Sequence, residues 1–65
     1  MKILLGEIMC KKNLTIRQVS VITGLPKSTI SDIVSGRTSP RMETMEQLAA
    51  GLNISITDLF ESPFK

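Results

Sequence analysis

Residues 27 to 38 read Lys-Ser-Thr-Ile-Ser-Asp-Ile-Val-Ser-Gly-Arg-Thr. At ~100° per residue, Lys27, Ser28, Thr29, Ser31, Asp32 and Ser35 spread over one side of a helix, and Ile30, Ile33 and Val34 share the other. Short hydroxyls, one ammonium and one carboxylate are groups for hydrogen bonding at close range, not for making bonds. An exposed helix with no further task tends to carry long Glu and Lys side chains of higher helix propensity, so a run of Ser and Thr is informative. The chemistry that fits is the recognition of base edges: a lysine ammonium reaches guanine O6 and N7, a carboxylate accepts from cytosine N4, and hydroxyls do either. Lys27, Ser28, Ser31 and Asp32 are the candidate base readers, and Arg17, Thr29, Arg37 and Thr38 are placed to hold phosphates beside them. The plain alternative is an ordinary hydrated helix face.

Such a face must be held by its neighbours, and the signals for them lie on either side. Thr15 and Gln18 form a capping box for a helix over residues 16–23, with Ile16, Val19 and Ile22 turned inward and Ser20 and Thr23 small enough to admit a close neighbour. Gly24 supplies the left-handed residue that turns the chain, and Ser35-Gly36 ends the polar helix at residues 27–35. Before this unit, residues 2–12 form an expected first helix, carrying Leu5, Ile8 and Met9 at helical spacing and ended by Asn13. After it, Pro40 suits the first turn of a fourth helix whose buried stripe is Met42, Met45, Leu48, Ala49 and Leu52, ended by Gly51 or Asn53. Ser55 and Asp58 make a second capping box, predicting a fifth helix that ends near Phe60. Nothing reads as a strand, because Val and Ile recur at three- and four-residue intervals.

The whole chain bounds what these elements can be. Sixty-five residues, 42% of them apolar, leave room for one domain that buries only ~60% of its unfolded surface. One cysteine and no histidine exclude an internal disulfide and any Cys/His zinc cluster. Cys10 reads as an ordinary small side chain on the first helix. The apolar opening is interrupted by Gly6, Glu7, Lys11 and Lys12, far short of a membrane span. A free thiol without an export signal points to a reducing cytoplasm. Net charge is only +2, but its distribution is uneven: residues 1–41 carry seven Lys/Arg against two acids, and residues 42–65 carry one against four. The positive field therefore sits with the polar helix and favours a polyanion. No enzyme is expected, since the chain lacks histidine and a glycine-rich phosphate loop and carries no metal cluster.

The pattern closely resembles the Cro/C1-type helix-turn-helix family, also called the XRE family, over about Leu5 to Phe60. The elements that carry the likeness are the Leu14-Thr15 entry, the Gly24 turn, Ser28-Thr29-Ile30-Ser31, Gly36-Arg37 with Pro40, Leu48-Ala49 and Leu59-Phe60. The resemblance implies an all-α fold, a compact five-helix bundle of the lambda-repressor-like kind, that binds operator DNA as a symmetric dimer. It also implies that Arg41 is sent toward the narrow central minor groove. Three departures from the family's pattern involve four residues. Met9 and Val34 stand where the family often pairs a buried Arg with a Glu, which predicts that they pack on one another and that Val34→Glu is severely destabilising. Ile16 replaces a Gln that touches phosphate, leaving Arg17 and backbone N–H groups to do so. Pro26 replaces the usual Ser or Thr cap of the third helix.

The expected activity is sequence-specific binding of double-stranded DNA by a regulator, in the simplest form a repressor, with the third helix in the major groove. Two half-sites ~34 Å apart would call for a homodimer, with Phe64 the apolar residue left over for a partner. No cofactor, metal, membrane or small-molecule effector enters this reading. The alternative is an antitoxin-like or adaptor module that keeps the same fold for protein interaction without recognising an operator.

Overall fold

The computed structural model describes residues 1–65. Four helices carry the chain: α1 (Leu5–Lys12), α2 (Ile16–Thr23), α3 (Lys27–Ser35) and α4 (Met42–Leu52), with short strands β1 (Lys2–Ile3) and β2 (Phe60–Glu61) at the two ends. The bounds of α2 and α3 are those the capping box, Gly24 and Gly36 predict. Thr15 Oγ1 accepts from the Gln18 N–H (3.1 Å) while Gln18 Oε1 accepts from the Thr15 N–H (2.8 Å), so two N-terminal donors of α2 are satisfied reciprocally.

Neither a fifth helix nor an all-helical chain is found. Residues Ile56–Asp58 make a single 3-10 turn, in which the Ser55 N–H reaches Asp58 Oδ2 (3.1 Å). The chain then leaves the helical conformation to pair antiparallel with the start of the chain, Lys2 opposite Glu61 and Ile3 opposite Phe60. A segment rich in β-branched Ile54, Ile56 and Thr57 and closed by Pro63 is too short to sustain a helix. Pairing with β1 satisfies its backbone instead, and the Leu4 N–H continues the link to the Leu59 carbonyl (2.7 Å). The same pairing takes Lys2 and Ile3 out of the first helix. Leu4 precedes α1 without a side-chain cap, so nothing local opposes the later start.

The core is built from Leu5, Met9, Val19, Ile30, Ile33, Met45, Leu48, Ala49, Leu52 and Leu59. Every helix contributes, and burying a Leu, Ile or Met side chain stabilises by roughly 1.5–3 kcal/mol relative to exposure. Of the positions expected to face inward, Ile8 and Ile16 pack against it half-buried, and Met42, Ile22 and Val34 are exposed. Met42 is 63% exposed because α4 begins at that residue, after Arg41 rather than at Pro40, and Ile22 is 45% exposed near the end of α2. Cys10 is exposed on α1. No helix is long and apolar enough to cross a membrane.

The expected pair of Met9 and Val34 is not a buried one. Met9 is in the core, but Val34 is 41% exposed, and its Cγ1 lies 3.4 Å from where a Cβ on Gly6 would stand. Val34 therefore meets α1 beside Gly6, at ordinary van der Waals distance, from the rim of the fold.

Candidate nucleic-acid interface

The turn between α2 and α3 is only Gly24, Leu25 and Pro26, and it is fixed by side chains on both sides. Gly24 adopts φ 77°, a left-handed conformation that costs a residue with a Cβ ~1–2 kcal/mol. Ser20 Oγ donates to the Leu25 carbonyl at 2.6 Å. Thr23, buried at the end of α2, donates from Oγ1 to the Val19 carbonyl (2.7 Å) and accepts from the Leu25 N–H (3.3 Å). From α4, Gln47 Nε2 donates to the Thr23 carbonyl at 2.8 Å. Gly51 allows α4 to come this close: a Cβ there would stand 2.8 Å from Thr23 Cγ2 and 3.1 Å from the Ile22 carbonyl oxygen.

This frame presents α3. Ile30 and Ile33 are buried beneath it, and Lys27, Ser28 and Ser31 are exposed above, with Thr29 and Asp32 partly so. Arg17 is exposed in the first turn of α2, Thr38 in the bend after α3, and Arg41 at the cap of α4. The fourth candidate cation is different. Arg37 Nη1 lies 3.7 Å from Asp32 Oδ1, so these two site residues meet each other, whereas Lys27, Arg17 and Arg41 form no salt bridge. Pro26 precedes α3 in extended conformation (φ −60°, ψ 147°) and gives it no side-chain cap.

A three-residue turn with a left-handed glycine joins two helices, the first buttressed by α4 and the second displaying a polar face. The model of the family described as Helix-turn-helix matches residues 5–59 of this chain. The chain belongs to the Cro/C1-type helix-turn-helix family. Its α2 and α3 are therefore the helix-turn-helix of a DNA-binding regulatory domain. Comparison with curated proteins gives no match.

The residues that position this helix-turn-helix were only half legible in the sequence. Small side chains at Ser20 and Thr23 signal a close approach, but Gln47 and Gly51 lie 24 and 28 residues beyond Thr23. Nothing in their local context marks them as partners of the turn.

Proposed function

We propose that residues 1–65 act as one cytoplasmic domain that binds an inverted-repeat operator in double-stranded DNA as a homodimer and represses transcription. What supports this reading most is the exposed face of α3, where Lys27 stands without an ionic partner beside Ser28 and Ser31 on a helix that packs against α2, itself tied to α4. With α3 in the major groove, Lys27 at its first turn reads guanine O6 and N7, Ser28 and Ser31 constrain the neighbouring edges, and Asp32 accepts from cytosine N4. Arg17, Thr29, Arg37 and Thr38 hold phosphates and set register, and Arg41 enters the narrow minor groove near the dyad. Phe64, 95% exposed, is apolar surface for the second copy. The reading calls for no cofactor and no small-molecule effector.

A second reading, an antitoxin-like or adaptor module, draws on one observation. Leu14, Val21 and Ile22 line a shallow apolar depression on α2 with Arg17 and Gln18, and Val21 is 80% exposed. Titration of duplex DNA across a range of salt separates the two. The DNA-binding reading expects log affinity to fall linearly with log salt, by ~0.9 for each phosphate neutralised. Affinity for a protein, without salt-sensitive DNA binding, would favour the second.

A further inference from the structure

Three helices of the chain end in the same backbone clasp. After the left-handed Asn13, Gly36 and Asn53, the next N–H donates back to the carbonyl five residues earlier: Leu14 to Met9 (2.8 Å), Arg37 to Asp32 (2.9 Å) and Ile54 to Ala49 (3.0 Å). Such a clasp usually brings two apolar side chains together. At α1 and α4 the two places hold apolar residues, with half-buried Leu14 and Ile54 packed against the core that includes Met9 and Ala49. At α3 the same two places hold Arg37 and Asp32, whose charged ends lie 3.7 Å apart with side chains 78% and 39% exposed. An exposed ion pair thus stands where the other helix ends place apolar residues. It stands at the end of the helix that carries the polar face.

Resting on the assignment of α3 to the major groove, we propose that Asp32 makes the phosphate contact of Arg37 conditional on the base it faces. The Arg37 guanidinium can serve the Asp32 carboxylate or a DNA phosphate. If it turns to phosphate, Asp32 is left as a bare carboxylate in a groove walled by negative charge. Cytosine compensates for this, because its N4 amino group donates into the major groove. Guanine O6 and N7 and thymine O4 are acceptors and leave the carboxylate repelled; adenine N6 also donates, but with its N7 acceptor adjacent it compensates less than cytosine N4. On these other bases, Asp32 retains Arg37. A phosphate contact, normally blind to sequence, is in this way coupled to a C·G pair, and the chain gives up affinity for random DNA in exchange for discrimination.

The test is a cycle of Asp32→Asn, Arg37→Ala and the double variant. Each is titrated across a salt series with a duplex carrying the selected site and with one lacking it, after thermal melts confirm that the variants fold. Asp32→Asn removes the charge at nearly constant shape. It is expected to bind the duplex without the site about two- to fivefold more tightly than the parent, the range of free energy an exposed ion pair spans. Its salt slope should steepen by ~0.9, one phosphate, and its preference for C·G at one position of each half-site should disappear. In the Arg37→Ala background the gain should vanish. A gain of the same size without Arg37 would reduce Asp32 to a simple repulsive charge and overturn the coupling, as would no gain in Asp32→Asn. A parent and variants that all lack salt-dependent DNA binding would overturn the DNA-binding reading itself, and the coupling with it.

Discussion

The side-chain amide of Gln47 donates a 2.8 Å hydrogen bond to the carbonyl of Thr23, tying α4 to the last residue of α2 where the chain turns toward α3. Few side chains in this small fold link distant elements by hydrogen bonds, so this contact governs how firmly the polar helix is aimed. Removing the amide in Gln47→Ala should cost about 1 kcal/mol, a typical net hydrogen bond. Gln47→Glu keeps the shape but sets an acceptor against a carbonyl, and should cost at least as much. Urea midpoints check both; a Gln47→Glu variant as stable as the parent would show that the amide only fills space.

Gly51 presents two opposed effects of known size. Alanine inside a helix is favoured over glycine by ~1 kcal/mol, but its Cβ would stand 2.8 Å from Thr23 Cγ2 and 3.1 Å from the Ile22 carbonyl oxygen. Overpacking costs ~1–3 kcal/mol, and the backbone of α2 cannot step aside as a flexible side chain would. Gly51→Ala should therefore be destabilising on balance. Combining it with Thr23→Ser, which removes the methyl and keeps Oγ1, should recover part of the loss. A Gly51→Ala variant with a raised melting temperature would mean that α2 and α4 separate more readily than their packing indicates.

Val34→Glu is expected to be mild. Reading Val34 as half of a buried pair with Met9 would make an added carboxylate costly, but the residue is 41% exposed, and a glutamate there can point to water. The loss should be about 1 kcal/mol or less, in keeping with a partly exposed position. A loss of ~3 kcal/mol or more, the cost of stranding a buried charge, would restore the buried-pair reading.

What the sequence made legible, and what it did not, follows from the range of the forces involved. Thr15 with Gln18, Gly24 and Gly36 act within a few residues, so the bounds of α2 and α3 could be placed from them directly. At the end of the chain the local signal misleads, because Ser55 with Asp58 also marks a helix start, while the pairing of Lys2–Ile3 with Phe60–Glu61 spans nearly the whole chain. Helical periodicity marked α3's polar face, and Lys27, Ser28 and Ser31 do stand exposed on it. It could not reveal that Asp32 and Arg37 occupy each other, since that depends on the left-handed backbone at Gly36 folding Arg37 back over the helix end.

Lys27 is the cation at the start of α3 without an ionic partner. Lys27→Ala should weaken binding to the preferred site by ~1–3 kcal/mol and relax base preference at one position of each half-site. Equal losses on every duplex, measured by fluorescence anisotropy, would reassign Lys27 to phosphate contact.

Operator binding is tested by selection of bound sites from a pool of random duplex DNA at near-physiological salt, using the untagged protein. A homodimer with α3 in the major groove should enrich an inverted repeat whose half-sites lie one helical turn, ~34 Å, apart. A pool that remains random after repeated rounds, with binding only at low salt, would contradict it.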